Sequence, residues 1–160
     1  MIKRRTLLLA GLLGLLPHGL TPWGGSPLPF PAAFAQWLLP ACSARDIPPS
    51  LFKALIWVES RFNPRAVGDD GAARGLCQMH EAACVDAGCS WADQFNPRSA
   101  IEAGSIYFGD QLKRFKLPLF ALVAWNQGPS VAAEMNLNDK RFQAGLKYAA
   151  EVLKAQADAV

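Results

Sequence analysis

The stretch Ala54-Leu55-Ile56-Trp57-Val58-Glu59-Ser60-Arg61-Phe62-Asn63-Pro64 decides how the fold of this sequence is interpreted. Apolar residues at Phe52, Leu55 and Ile56 follow helical spacing, and the same helix face continues to Glu59. A carboxylate therefore occupies a position where a core residue is expected. Because burial disfavours the charged form, we predict that the pKa of Glu59 is raised and that a proton is available near neutral pH, as a general acid requires.

The helix that carries Glu59 is predicted to end shortly after it. Asn63-Pro64 disfavours helical backbone at the residue before the proline, so the chain must leave the helix there. Glu59 is then expected at a helix end that faces a loop, where a substrate can reach it. The alternative is an ordinary surface glutamate that points to solvent or pairs with Arg61 or Arg65.

Length and composition favour a single domain. The chain has 160 residues, of which 51% are hydrophobic, which is enough for one core and too short for two ordinary domains. Its net charge of +3 comes from one end, because Lys3, Arg4 and Arg5 are the only charged residues before residue 36. The rest of the chain carries 13 basic and 13 acidic side chains. This balance gives no indication of nucleic-acid binding.

The N-terminus has the pattern of an export signal. A positive start precedes an apolar run at residues 6–16, which is shorter than the roughly 20 residues that span a bilayer. The start also resembles an incomplete twin-arginine signal, and Ala33-Phe34-Ala35 offers a small-x-small cleavage site. We therefore predict a signal segment over residues 1–35 and one domain over residues 36–160. An earlier cut, or retention of the segment as a membrane anchor, is the alternative.

Four cysteines lie beyond this segment, namely Cys42, Cys77, Cys84 and Cys89. An even number in an exported chain predicts disulfides, but the sequence does not distinguish among the three possible pairings. A zinc site is not indicated, because no C-x-x-C occurs and His80 is the only histidine after the signal segment. Cys77 with His80 as its base would be a nucleophilic pair, but their spacing alone gives it little support.

The remaining pattern predicts helices and contains no convincing strand, so the expected fold class is all-α. A loop is expected at residues 65–74, where glycines and aspartates cluster. The helix at residues 36–43 is expected to be broken by Pro40. The predicted helices are residues 36–43, the Glu59 helix after Pro48, residues 81–87, a long helix from Pro97, and residues 119–125, 130–135 and 141–156.

A second polar residue falls on a mainly apolar helix face. Asn126 follows Leu119, Leu122 and Val123 at helical spacing. We therefore expect a buried amide, which needs a hydrogen-bond partner in the protein or in a ligand.

Three motifs occur in an order that is specific to one enzyme family. They are Glu59-Ser60-x-Phe62-Asn63-Pro64, Gly75-Leu76-Cys77-Gln78-Met79 and Ala124-Trp125-Asn126-Gln127-Gly128. Together they resemble the catalytic motifs of the Slt-type lytic transglycosylases, lysozyme-like enzymes that cleave peptidoglycan. Phe95-Asn96-Pro97 and Tyr148-Ala149 give weaker support. The resemblance covers about residues 48–153.

The chain departs from the family pattern at four places. Cys77 replaces the usual methionine of the second motif, and Trp125 replaces the usual tyrosine of the third. Ala100 stands where an asparagine is common, and no serine occupies the loop near Gly68. The first two changes keep an apolar or aromatic surface, whereas the missing serine removes a polar contact near Glu59.

The resemblance implies a lysozyme-like helical domain that uses one catalytic carboxylate. Glycosidases commonly use two, but Asp69, Asp70, Glu81 and Glu134 lack the apolar face of Glu59. Glu59 would protonate the bridging oxygen of the glycan and then act as a base, without a metal or another cofactor. The expected substrate-binding residues are Gln78, Trp125, Asn126, Tyr148, Ser60 and Met79, although without the family Trp125 and Tyr148 would be interpreted as core residues.

The resemblance also implies partners and location. We expect an exported, periplasmic monomer that acts on peptidoglycan glycan strands and serves a secretion or pilus machine, with no nucleic acid involved. Two alternatives stay open: a hydrolytic enzyme of the goose-type lysozyme kind, and a wall-binding assembly protein with an inactive site.

Overall fold

The computed structural model describes residues 28–158, which form seven α-helices and one two-stranded antiparallel sheet. This confirms the predicted all-α class. The apolar run at residues 6–16 and most of the predicted signal segment lie outside the described residues. The elements are α1 Ala32–Ser43, α2 Pro49–Ser60, β1 Val67–Gly68, β2 Ala73–Arg74, α3 Glu81–Asp86, α4 Pro97–Phe115, α5 Pro118–Gln127, α6 Pro129–Glu134 and α7 Lys140–Asp158.

Prolines begin four of the helices. Pro49, Pro97, Pro118 and Pro129 occupy first-turn positions, where the missing N–H has no intrahelical partner to lose. The long helix α4 has an additional cap, because Asn96 Oδ1 accepts hydrogen bonds from the backbone N–H groups of Arg98 at 2.9 Å and Ser99 at 3.4 Å. These starts fix where each helix enters the core.

Helix α1 differs from its prediction. It begins at Ala32 rather than at residue 36, and it continues through Pro40 to Ser43. The expected break at Pro40 is wrong. Pro40 has no N–H to donate to the carbonyl of Gln36, but both residues are exposed, so water can bind that carbonyl instead. The candidate cleavage site Ala33-Phe34-Ala35 lies inside this helix, and the boundary between residues 35 and 36 stays a prediction.

The apolar helix α5 is the centre of the fold. It packs against α4, α6 and α7, while α2 packs on α7 and α1 on α4. Gly145 permits the close approach of α7, because a Cβ there would lie 2.8 Å from Val123 Cγ1. The predicted core face of α2 is confirmed, since Phe52, Leu55 and Ile56 are fully buried.

The predicted disulfides are absent, and all four cysteines are free thiols. Cys42, Cys77 and Cys84 are completely buried within the apolar core, where they pack as small apolar side chains. Burial raises the pKa of Cys42 and of Cys84 to about 11. These thiols are therefore kept protonated and unreactive.

The segment between α2 and α3 contains the only strands of the described residues. Val67 pairs with Arg74 and Gly68 with Ala73, and the turn between them spans Asp69–Gly71. The sequence predicted a plain loop here. None of the helices in residues 28–158 combines the length and hydrophobicity needed to cross a membrane.

Candidate active site

Glu59 occupies the last turn of α2, one residue before the helix ends at Ser60. Arg61 then takes the left-handed conformation, with φ of 52°, and turns the chain away. The apolar face that precedes Glu59 is buried, whereas Glu59 itself is half-buried. The carboxyl group thus lies between the core and the surface, as the sequence predicted.

Two hydrogen bonds converge on one oxygen of this carboxyl group. Trp125 Nε1–H donates to Glu59 Oε1 at 2.7 Å, and the Tyr148 hydroxyl donates to the same oxygen at 2.5 Å. No donor for Oε2 is found among residues 28–158. Because an indole N–H can only donate, Oε1 must accept. When the group is protonated, its proton therefore belongs on Oε2.

The surroundings of Glu59 raise its pKa. Burial is the largest cause, and the hydrogen bonds from Tyr148 and Trp125 oppose it by stabilising the charged form. The charge of Asp69 raises the pKa further and that of His80 lowers it. Burial raises the pKa of Tyr148 well above its usual value, and the negative charge of Glu59 adds to this effect. Tyr148 therefore stays a hydrogen-bond donor.

The fold delivers these three side chains from three helices. Glu59 comes from α2, Trp125 from α5 and Tyr148 from α7. Gly145 lies one helical turn before Tyr148, so the contact that brings α7 close to α5 also brings the tyrosine to the carboxyl group. The Trp125 ring is held edge-on by Phe108, with centroids 5.9 Å apart.

Gln78 organises the loop of the second motif. Its Nε2 donates to the carbonyl oxygens of Ala66 at 3.1 Å and Gly75 at 2.8 Å. A Cβ on Gly68 would lie 2.6 Å from Gln78 Oε1. The Gln78 amide thus fills the space beside the position where the family pattern has a serine, and its oxygen lacks a side-chain donor among the described residues.

A groove runs over Glu59 in two adjoining parts. The first part is a cavity of about 360 Å³, and the second is a cavity of about 240 Å³. Four residues line both, so the two cavities are consecutive: Gln78, His80, Trp125 and Asn126. Glu59, Asp69 and Tyr148 line the first part only, and Met79 and Tyr107 line the second only. A larger cavity of about 440 Å³ beside α1 and α4 contains none of them.

Most of the predicted site residues meet in this groove. Gln78, Trp125, Asn126 and Tyr148 line it together with Glu59. The Trp125 N–H donates to Glu59 Oε1, so the indole ring rather than its N–H group faces a ligand as a contact surface.

Two of the predicted substrate-binding residues lie away from the first part of the groove. Met79 is buried beneath the second part, where its carbonyl accepts from Trp91 Nε1 at 3.2 Å. Ser60 does not line either part, and its hydroxyl donates to the Ile56 carbonyl at 3.2 Å. Ser60 therefore caps the end of α2.

The expectation of a buried amide at Asn126 is wrong. Asn126 is exposed, since the last turn of α5 leaves the core before Gly128. Its Oδ1 accepts from Gln127 Nε2 at 2.7 Å. The side chain therefore stands at the wall of the groove, where it can rotate to meet a ligand.

Sequence reasoning missed a pair of side chains at the edge of the groove. His80 Nε2 lies 2.7 Å from Asp69 Oδ2, and both line the cavity with Glu59. Asp69 was interpreted as part of a turn, and His80 only as a base for Cys77. That nucleophilic pair is wrong, because the Cys77 thiol is fully buried with its pKa raised well above normal. The proximity of His80 to the second motif was the available signal.

The described residues contain no group of three or more histidine, cysteine or acidic side chains that could hold a metal ion. Glu59 and its neighbours form a site for proton transfer. A neutral carboxyl with one anchored oxygen and one open oxygen can donate a proton to a ligand in the groove and later accept one.

Comparison with known proteins gives one consistent family. The family model described as Transglycosylase SLT domain matches residues 39–147. The lytic transglycosylase Slt of Pseudomonas aeruginosa, solved as an inactive glutamate-to-glutamine mutant, superposes with a TM-score of 0.67 at 21% identity over 79% of this chain. The 70 kDa soluble lytic transglycosylase of Escherichia coli superposes with a TM-score of 0.69 at 22% identity over 83% of the chain. The match covers only 24% of each of these proteins.

Proposed function

The chain belongs to the family of transglycosylase SLT domains, and from this premise we propose that it is a peptidoglycan lytic transglycosylase in which Glu59 is the catalytic acid and base. The observation that carries the proposal is the anchoring of Glu59 Oε1 by Trp125 and Tyr148, which leaves Oε2 without a donor from the described part of the chain, in a side chain that lines the groove. The similar Pseudomonas enzyme is described as inactive when one glutamate becomes glutamine.

The proposed reaction needs one proton donor and no water. Glu59 Oε2 gives its proton to the oxygen that joins N-acetylmuramic acid to N-acetylglucosamine, and the bond from the anomeric carbon to that oxygen breaks. The acetamido group of the substrate supports the anomeric carbon. Glu59, now a carboxylate, then takes the proton of the muramoyl 6-hydroxyl as that oxygen bonds to the anomeric carbon. A 1,6-anhydro product forms and Glu59 is protonated again.

The raised pKa suits both steps. A carboxyl group that is protonated near neutral pH can donate in the first step, and the two hydrogen bonds on Oε1 stabilise the carboxylate that results. Gln78 Oε1 and the amide of Asn126 offer acceptors and donors to sugar hydroxyl and acetamido groups. Tyr107 is only partly buried and gives the second part of the groove an apolar surface for a sugar ring, with Met79 buried beneath it.

The proposal includes a location and partners. Peptidoglycan glycan strands are the substrate, and the N-terminal export pattern favours a periplasmic protein. Action as a monomer and service to a secretion or pilus machine remain predictions of the family resemblance.

The deciding experiment compares wild type with Glu59→Gln on purified sacculi, with mass spectrometry of the released fragments. We expect anhydromuramoyl ends from wild type and a loss of activity of about 10²- to 10⁴-fold in Glu59→Gln, the range for removal of a general acid. Glu102→Gln makes the same chemical change on the exposed face of α4, away from the groove, and should cleave normally. Full activity in Glu59→Gln would exclude the proposal, and no cleavage by wild type would favour the inactive wall-binding alternative.

Hydrolysis is the second candidate, and one observation favours it. Asp69 lines the cavity that contains Glu59, and a second carboxylate can activate water in glycosidases. Reducing muramoyl ends, in place of anhydro ends, would identify hydrolysis. The engagement of Asp69 by His80 favours the first candidate, because the carboxylate oxygen nearest His80 is already bound.

A further inference from the structure

Asp69 and His80 form a pair at the edge of the groove. Asp69 begins the turn between β1 and β2, and His80 directly precedes α3. Asp69 Oδ2 and His80 Nε2 are 2.7 Å apart. Both residues line the cavity over Glu59, and His80 also lines the adjoining cavity. The imidazole ring therefore stands where the two parts of the groove meet.

The carboxylate of Asp69 determines which nitrogen of His80 is available. A carboxylate can only accept, so Nε2 must carry the hydrogen of this bond. In a neutral imidazole the other nitrogen, Nδ1, is then an acceptor with a free lone pair. Sugar hydroxyl and acetamide N–H groups are the donors that a glycan would bring to it.

A purely structural role explains the pair poorly. The side chains of Asp69 and His80 are 68% and 52% exposed, and exposed ion pairs contribute little to stability. Both residues line the cavity that contains the Glu59 carboxyl group, so they lie near the reacting group.

We propose that Asp69 and His80 are a substrate-positioning pair, in which Asp69 orients the imidazole ring and His80 Nδ1 accepts a hydrogen bond from the glycan. This inference rests on the proposed function, and it adds a contact specific to this chain. Neither Asp69 nor His80 is hydrogen-bonded to Glu59, whose donors are Trp125 and Tyr148, so we expect the pair to act mainly on binding. Its loss should therefore raise KM and leave kcat nearly unchanged.

The test combines binding and kinetics on the full chain. Binding of a soluble tetrasaccharide of alternating N-acetylglucosamine and N-acetylmuramic acid is measured in the Glu59→Gln background, and cleavage is measured in the Glu59 background. We expect His80→Ala and Asp69→Asn each to weaken binding and raise KM by about five- to tenfold, the loss of one hydrogen bond. The double variant should lose no more than His80→Ala, because Asp69 acts through His80.

Asp70→Asn is the matched control. Asp70 is the next residue of the same turn, is exposed, has a left-handed φ of 53°, and does not line the groove. Asparagine tolerates this conformation, so Asp70→Asn should bind like the parent. His80→Ala removes no helix cap, since the His80 side chain makes none, and thermal unfolding will verify that each variant is folded.

The outcomes separate this inference from the proposed function. Unchanged binding in both single variants, additive losses in the double variant, or an equal loss in Asp70→Asn would each overturn the pair while wild type still cleaves. If wild type does not cleave and Glu59→Gln does not bind the tetrasaccharide, both the positioning role of Asp69 and His80 and the proposed function are overturned. Non-additive losses with kcat preserved would support it.

Discussion

The floor of the groove (Glu59, Trp125 and Tyr148) and its rim (Gly68, Asp69 and His80) are built in different ways. The floor residues come from α2, α5 and α7, and α7 packs directly on both α2 and α5. The rim comes from two-residue strands, a turn and the residue before a short helix. Rigid helices hold side chains more precisely than turns do. We therefore expect proton transfer to depend on the floor and substrate binding to depend on the rim.

Among variants that keep Glu59, the largest effect is expected from removing the two hydrogen-bond donors to its carboxyl group. Tyr148→Phe and Trp125→Phe each delete one hydrogen bond to Oε1, so the carboxyl loses its orientation and kcat should fall about 10- to 100-fold. Both bonds lower the pKa of Glu59. Their removal therefore raises that pKa further, and the alkaline limb of the profile of kcat/KM should move to higher pH.

Trp37→Phe is the control for these variants, because Trp37 lies on α1 and outside the groove. It should leave kcat and the pH profile as in wild type. An unchanged pH limb in both Tyr148→Phe and Trp125→Phe would mean that the floor does not govern the proton of Glu59.

A second way to disturb the floor is to separate its helices. In Gly145→Ala the new methyl group would lie 2.8 Å from Val123 Cγ1 and 3.4 Å from Val123 Cα, so α7 must shift. Overpacking of this kind costs about 1 to 3 kcal/mol, partly offset by the better helix propensity of alanine, about 1 kcal/mol. We expect a lower free energy of unfolding in urea and a lower kcat, because Tyr148 moves with α7.

A compensating variant tests whether contact with Val123 causes the expected loss of kcat in Gly145→Ala. Val123→Ala removes the methyl groups that the new side chain would meet, so Gly145→Ala combined with Val123→Ala should recover part of the lost kcat. Loss of stability without any change in kcat would show that the position of Tyr148 does not depend on this contact.

The floor should also be less stable than it could be. The pKa of Glu59 is higher in the folded protein than in the unfolded chain. Protonated Glu59 therefore contributes its full stability below the unfolded-state pKa, and this contribution is lost as the pH rises through the folded-state pKa. Glu59→Gln removes the cost of burying a charged carboxylate and keeps an oxygen that can accept from Trp125 and Tyr148. We expect it to be more stable than wild type at pH 7, by about 0.5 to 2 kcal/mol, and the difference to shrink toward pH 4.

Glu102→Gln, which replaces an exposed carboxylate on α4, should show no such pH-dependent gain in thermal or urea unfolding. A Glu59→Gln variant that is equally stable with wild type at every pH would contradict the burial cost assigned to the carboxyl group.

The sequence predicted the floor because helical periodicity is a local signal. The spacing of Phe52, Leu55 and Ile56 places Glu59 on a buried face, and the confirmed burial follows from that spacing alone. Trp125 and Tyr148 were predicted as site residues only through the family resemblance. Their shared bond to one oxygen depends on how α5 and α7 meet, which periodicity does not determine.

The rim could not be predicted for a related reason. Asp69 and His80 are eleven residues apart, and they are brought together by the pairing of β1 with β2 and by the bridge between Arg74 and Met79. Two-residue strands carry no alternating pattern, so the sequence predicted a loop. The same limit applies to Pro40, because its effect depends on whether the unpaired carbonyl faces water. It also applies to the cysteines, whose even number suggested disulfides although three of them are buried in the core.

The smallest effect is expected at the rim itself. Gly68→Ser restores the side chain that the family pattern has near this position, but its Cβ would lie 2.6 Å from Gln78 Oε1. The obstacle is the end of a flexible side chain, so Gln78 can rotate, and the unfolding free energy should change by less than about 1 kcal/mol. Rotation moves the Gln78 oxygen within the groove, so KM should rise about three- to tenfold, with kcat unchanged. Ala72→Ser, an exposed position in the same turn, should leave both constants as in wild type. If Gly68→Ser lowered kcat as Tyr148→Phe does, the rim would be controlling the proton and the division between floor and rim would be wrong.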